Sequence, residues 1–230
     1  MSRSPKIIHD DEFGDIEIKR VRGAYVRLKM QTNGRMVAHL PYFVSFNEVP
    51  KFLEKSRGEL RQIHQKMPHR KTYDDGDLVG KSHRLIINHG VKENVSVRNS
   101  EIIVTITSAT SKSERNRLIR DGVCKALRKE SKSYLPRRLE FLAREHGYSF
   151  QQIRFTHAKS RWGSCSSRGT ISLNIMLMTL PNELIEYVLL HELNHTRHMN
   201  HSIAFWNDLE RICPNAKIYR KKLRDFSPYL

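Results

Sequence analysis

Four histidines and a glutamate fall within eleven residues, His191-Glu192-Leu193-Asn194-His195-Thr196-Arg197-His198-Met199-Asn200-His201. The first five of these read H-E-x-x-H. On a helix, residues four apart lie one above the other on one face. His191 and His195 can therefore share one metal ion, with Glu192 beside it. Two imidazoles and a carboxylate next to an open coordination position form the arrangement that makes hydroxide from water near neutral pH. The chemistry expected is hydrolysis by zinc-activated water, with Glu192 as general base: it takes the proton as water attacks and returns it to the leaving group.

A catalytic zinc usually has three protein ligands. His201 is the first choice for the third, because H-E-x-x-H followed by a His six residues on matches the metzincin spacing. Metzincins have glycine at the middle position, where this chain has His198. Asn200 tolerates left-handed backbone and is expected to end the helix and swing His201 back. His198 and Glu210 stay open as alternative ligands. Glu186 and Asp208 are candidates to orient the ligating imidazoles.

Elements must hold these residues in place. A helix is expected from Pro181, since proline suits a first helical position and Glu183 and Glu186 lie toward the positive end of the dipole. Leu184, Ile185, Val188, Leu189 and Leu193 give it a broad apolar face, so it is expected to be buried. Ionisable groups on a buried helix call for a partner or a metal. Before it, Thr170–Met178 alternates Ile171, Leu173, Ile175 and Leu177 and reads as a half-buried strand. A strand beside the metal helix, this one or its neighbour, suits an extended peptide added by main-chain pairing. Arg161 and Asn174 are the candidate substrate contacts there, with a salt bridge and a backbone anchor as their structural alternatives. After His201, a helix begins near Ser202, with Phe205 and Trp206 expected to buttress the site.

Ser160-Arg161-Trp162-Gly163-Ser164-Cys165-Ser166, Gly169-Thr170-Ile171-Ser172-Leu173-Asn174, Pro181, Tyr187-Val188, His191-Glu192-Leu193, His195, Asn200-His201-Ser202 and Phe205-Trp206 together resemble the YgjP-like metallopeptidase domain family, which is related to the SprT-like and WLM zinc peptidases. The resemblance covers most of the chain. It implies a gluzincin-type zincin fold, metal ligands at His191, His195 and His201, and a general base at Glu192, while leaving the natural substrate open.

The chain has 230 residues, with 41 Lys and Arg against 24 Asp and Glu, a formal charge of +17. Such an excess attracts polyanions, so association with nucleotides or nucleic acid through a basic surface is an expectation beside a peptide or protein substrate. No recognition-helix, RNP or zinc-finger pattern supports sequence-specific nucleic-acid reading. Cys124, Cys165 and Cys213 are odd in number and have no C-x-x-C spacing, which speaks against a disulfide framework and suits a reducing compartment. No apolar run resembles a membrane span or signal peptide, so no membrane partner and a cytoplasmic location are expected.

The fold class expected is α+β: a zincin-like region with an H-E-x-x-H helix and an adjacent sheet. A strand-rich basic region with one helix is expected over 1–110, and a helical, zincin-like catalytic region over 111–230. Asn33-Gly34 between apolar alternations signals a hairpin. A helix is expected from near Ser45 towards Lys66. Asp74, Asp75 and Asp77 read as a turn, lacking the spacing of a calcium loop. Residues 112–147 read as helical with Leu118, Leu127, Leu135, Leu139 and Leu142 inward, broken by Pro136. The leading function is zinc-dependent peptide hydrolysis. The alternatives are a zinc-dependent hydrolase of nucleotide phosphoanhydrides and a polyanion-binding zinc module without catalysis.

Overall fold

The structure is a computed structural model that describes residues 6–30, 36–66 and 72–230. Two compact units divide the chain at residue 69.

In the first unit, β1 (Lys6–Asp10), β2 (Gly14–Val21), β3 (Arg27–Met30) and β4 (Met36–Pro41) form one sheet in the order β1-β2-β4-β3. Ile16 and Ile18 alternate on β2 with charged neighbours, the period-2 pattern that buries one face. They meet Met36, Ala38 and Leu40 of β4 and Val49, Leu53 and Leu60 of α1 (Glu48–Lys66) in a small core. β3 and β4 pair antiparallel, with Met30 opposite Met36; the Asn33-Gly34 turn expected between them lies outside the described residues.

The second unit holds β5 (Leu78–Val79), β6 (His83–His89), β7 (Asn94–Arg98) and β8 (Glu101–Ile106), in the order β5-β6-β8-β7 with β6 parallel to β8. This sheet shares a core with α2 (Lys112–Glu145): Leu85, Ile102 and Val104 pack with Leu118, Val123 and Leu127. The boundary expected near residue 110 therefore moves to residue 69. Strand alternation shows that β6 and β8 bury one face, but not which helix covers it.

α2 runs unbroken through Pro136, contrary to the expected break. An interior proline costs a helix about 3 kcal/mol. Leu135 and Leu139, both fully buried, flank it; burying such side chains contributes about 1.5–3 kcal/mol each, enough to hold the helix across the missing N–H. Ser111 caps the helix, accepting from the Glu114 N–H at 3.2 Å, and Gly147 follows its end at φ +66.

The third sheet carries the site. β9 (Gln152–Thr156), β10 (Gly163–Cys165) and β11 (Thr170–Asn174) take the order β10-β11-β9. The strand expected over 170–178 stops at Asn174, and Ile175–Thr179 is a 3-10 helix. Ile175, Met176, Leu177 and Met178 are all buried, so the apparent alternation does not mark a half-exposed strand there. The Asn174 carboxamide accepts from the Met176 N–H at 3.0 Å and starts the turn. α3 (Asn182–Asn194), α4 (Ile203–Ile212), α5 (Ala216–Lys222) and a 3-10 turn at Leu223–Asp225 complete the described elements. No described helix is long and apolar enough to cross a membrane.

Candidate metal centre

α3 begins behind Pro181 and buries Leu184, Ile185, Val188, Leu189 and Leu193, as its apolar face requires. His191 and Glu192 lie on its last turn. His195 follows as the C-terminal cap in right-handed helical geometry, its N–H on the His191 carbonyl, so the four-residue relation between the two histidines is kept. The chain then turns on itself: the N–H of Thr196 meets the Leu193 carbonyl, and those of Arg197 and His198 meet the Asn194 carbonyl. The chain bends again at Met199 and Asn200. Among the described residues only Asn99 is a non-glycine with positive φ, so Asn200 is not the left-handed stop expected of it. Ser202 caps α4, its hydroxyl accepting from the Phe205 N–H at 3.4 Å, which leaves His201 just outside the helix and facing back.

Ring nitrogens of His191, His195 and His201 all lie within 4.8 Å of one another. The Nε2 atoms of His191 and His201 are 3.1 Å apart. Two imidazoles bound tetrahedrally to one ion at about 2.0–2.1 Å would place their nitrogens about 3.3 Å apart. His195 donates its Nδ1–H to the His198 carbonyl at 2.9 Å. That hydrogen bond fixes the tautomer and leaves the Nε2 lone pair for an ion. Burial, with the neighbouring His195, His201 and Arg220, pushes the His191 pKa down to about 3, and burial lowers that of His201 as well. Both rings are thus neutral, the ligating form, at pH 7.

Glu192 is 5 % exposed. Burial raises its pKa to about 8, with Arg161 pulling the other way. Its Oε2 is buried with no hydrogen-bond partner among the described residues. A buried carboxylate oxygen left unpaired is costly, and a divalent cation beside it would favour its charged form. Three converging imidazoles with this carboxylate next to them are a donor set that fits a metal ion.

Phe205 lies beneath all three rings, its centroid 5.0, 4.6 and 4.8 Å from those of His191, His195 and His201. Trp206 stacks on His201 at 5.6 Å and carries the Arg220 guanidinium 4.6 Å over its own ring. These two aromatics are the expected buttress. The alternative ligands are engaged elsewhere: His198 faces Asp208 at 3.4 Å, and Glu210 pairs with Lys217 at 2.8 Å. Neither proposed imidazole orienter touches a ligating ring. Glu186 pairs with Arg138, and Asp208 is held by Tyr148, Arg211 and His198.

Arg161 and Asn174 part company. Asn174 is fully buried, and its side-chain N–H groups point at the carbonyls of Ala158, Arg161 and Pro228 at 2.8–3.0 Å. With its oxygen on the Met176 N–H, it has nothing left to offer a substrate. It is the backbone anchor of its alternative reading, and the substrate role is withdrawn. Arg161 is exposed and acts electrostatically on Glu192.

Two contributors were missed in the sequence. Asn194, wholly buried, donates to the Phe205 carbonyl at 2.8 Å and accepts from the Tyr148 hydroxyl at 3.1 Å, locking α3 to α4. Gly163 is the other: a Cβ there would stand 2.6 Å from Glu192 Oε1 and 2.7 Å from its Cγ. Only glycine lets the carboxylate lie against β10. The Trp162 carbonyl accepts from the Asn174 N–H, and the Ser166 N–H donates to the Thr170 carbonyl. By antiparallel alternation Ser164 and Ser172 are then a hydrogen-bonded pair, so the main-chain groups of Gly163 and Cys165 turn outward. β10 is the outer strand of its sheet. The expected substrate strand, Thr170–Asn174, is the central one; its neighbour holds the open edge.

Residues 24–226 match the YgjP-like metallopeptidase domain. The chain belongs to the YgjP-like metallopeptidase domain family. This YgjP-like chain is also similar to two crystal structures of metallopeptidase zymogens. Pyrococcus abyssi abylysin is 29% identical, with a TM-score of 0.36 over 38% of this chain and 90% of that one. Methanocaldococcus jannaschii jannalysin is 24% identical, with a TM-score of 0.34 over 38% and 91%. No curated protein matches the YgjP-like chain. Membership makes it a metallopeptidase-family domain, to which the three-histidine cluster supplies a place for the metal ion.

Proposed function

We propose that this domain is a zinc-dependent peptidase of zincin type. His191, His195 and His201 hold the ion, Glu192 is the general base, and the edge of β10 receives the peptide. One observation carries the reading. The buried Glu192 carboxylate, with an unpartnered oxygen, lies against Gly163 on an open strand edge and next to three converging imidazoles. A bound zinc ion supplies Lewis-acid chemistry, acidifying a water and polarising the scissile carbonyl. The chain's own residues do the rest. Outward N–H and C=O groups of Gly163 and Cys165 pair with the substrate main chain and bring one peptide bond beside Glu192. Glu192 accepts the water proton as the carbonyl carbon is attacked and delivers it to the leaving nitrogen. Burial keeps the carboxylate basic enough to take that proton. The imidazoles stay in place, His195 through the His198 carbonyl and all three through Phe205.

An open strand edge suits a peptide, and no observation separately favours a phosphoanhydride substrate. Three free thiols suit a reducing cytoplasm. The test is Glu192→Gln in the zinc-loaded chain. Peptide turnover is expected to fall about 10²–10⁴-fold, the usual worth of a general base, with one zinc still bound per chain. Full turnover by the variant, or zinc lost with the carboxylate, would sink the assignment.

A further inference from the structure

The face of the β9–β11 sheet that turns away from the core gathers arginines and hydroxyls around one concavity. Ile153, Phe155, Ile171, Leu173 and Cys165 point inward to the core, so their neighbours Arg154, Ser172 and Ser164 point outward. Register sets these three side by side, Ser164 opposite Ser172 and Ser172 opposite Arg154. Arg161 precedes β10, and Arg168 lies in the turn that follows it. All three arginines line one concavity of about 460 Å³ together with Ser164, Ser172 and Thr170, and no Asp or Glu takes part in its lining.

Some arginines elsewhere are ion-paired, Arg57 with Asp10, Glu12 and Glu54, Arg61 with Glu12, Arg117 with Glu114, Arg138 with Glu186 and Arg211 with Asp208. Arg154, Arg161 and Arg168 have no ion-pair partner among the described residues.

The concavity borders the open edge of β10, and strand geometry links the two. A peptide paired with Gly163 and Cys165 sends alternate side chains to opposite faces of the sheet. One set points toward Glu192 and the metal site. The other lies beside Ser164, over the three guanidiniums. Resting on the peptidase reading above, we infer that this arginine cradle is a specificity pocket selecting extended peptides with acidic side chains on the outward-facing positions. Arg161 and Arg168 flank the entry and Arg154 forms the far wall. Arg154 stands three strand spacings, about 14 Å, from the substrate strand, which favours glutamate over the shorter aspartate. The neighbouring hydroxyls of Ser164, Ser172 and Thr170 add donors for a carboxylate. A nucleic acid would satisfy the charge but has no main chain to pair with the edge.

The test uses the full chain carrying Glu192→Gln, zinc-loaded, and two short fluorescent peptides: one with Glu at alternate positions, the other with Gln at the same ones. Anisotropy should show the Glu peptide bound about tenfold tighter, the worth of one charge-assisted hydrogen bond. Adding Arg154→Gln and Arg168→Gln should bring that ratio close to one, while the exposed-lysine controls Lys92→Gln and Lys222→Gln keep it. Equal affinities in the parent, a ratio insensitive to the arginines, or an equal loss in the controls would each overturn the cradle. So would a single-stranded oligonucleotide that displaces the peptide in an arginine-dependent way, which would give the cradle to nucleic acid. Cleavage of the same peptides by the unmutated enzyme separates the two ideas. Cleavage with no charge preference removes the cradle and keeps the peptidase. Arginine-dependent binding without cleavage keeps the cradle and removes the peptidase.

Discussion

Gly163 and Glu192 are 29 residues apart in the sequence and within a side-chain atom of each other in space. A methyl group on Gly163 would stand 2.6–2.8 Å from Oε1, Cγ and Cδ of Glu192, inside any tolerable contact. Gly163→Ala is therefore expected to push the carboxylate off the strand. A catalytic group misplaced by about 1 Å costs on the order of 10²-fold in rate, so turnover should fall by about that factor. The histidines are untouched, so zinc stoichiometry should stay at one. Normal turnover with alanine would show that Glu192 needs no close approach to β10. That His191, His195 and His201 could gather was legible because helical spacing and ligand spacing act over a few residues. Gly163 was not, because its constraint comes from a side chain on another element. For the same reason sequence left Asn174 open between substrate contact and backbone anchor: its carboxamide binds carbonyls from 158, 161 and 228.

Among the elements, the metal-site helices are tied to one another by a polar knot. The Tyr148 hydroxyl, just past α2, lies 3.1 Å from the Asn194 carboxamide oxygen and 3.0 Å from the Asp208 carboxylate. Arg211 donates to Asp208 at 2.7 Å, and the Arg197 guanidinium sits 4.0 Å over the Tyr148 ring. The hydrogen bond from Arg211, then that from Tyr148, holds the Asp208 carboxyl below the usual carboxylate range, against partial burial. The sign follows. A carboxyl whose folded pKa lies below its unfolded value of about 3.9 stabilises the fold above that pH and loses the contribution as pH falls through the folded value. The gap in unfolding temperature between wild type and Asp208→Asn should therefore be full near pH 6 and shrink below about pH 4. A gap constant across that range would show that the carboxylate's charge does not matter. The helices themselves were readable from capping and apolar faces. Pro136 misled because propensity is local, whereas Leu135 and Leu139 take their burial from other elements.

Among the described residues the whole molecule shows two hydrophobic cores, one built from Ile16, Met36, Leu40 and Leu53, the other from α2, α3 and the two sheets of residues 78–174. The +17 charge showed in the sequence, but where it goes unneutralised did not, since that depends on which acids fold against which arginines. The proposed ligands and base all lie in the second unit. An ion that binds the folded state and not the unfolded chain stabilises by RT ln(1 + [L]/Kd), about 4 kcal/mol at a thousandfold excess over Kd. For a unit of this size each kcal/mol moves the midpoint by about 2–4 °C. Calorimetry of the zinc-loaded chain should show two transitions. Chelation should lower one by about 10 °C and leave the other in place, because the three proposed ligands all lie in the second unit. A Leu40→Ala substitution, which opens a cavity in the first core and costs about 2–5 kcal/mol, should do the reverse, lowering the chelator-insensitive transition and leaving zinc binding intact. If chelation moved both transitions together, the two cores would unfold as one cooperative body, and the metal would stabilise the entire chain through it.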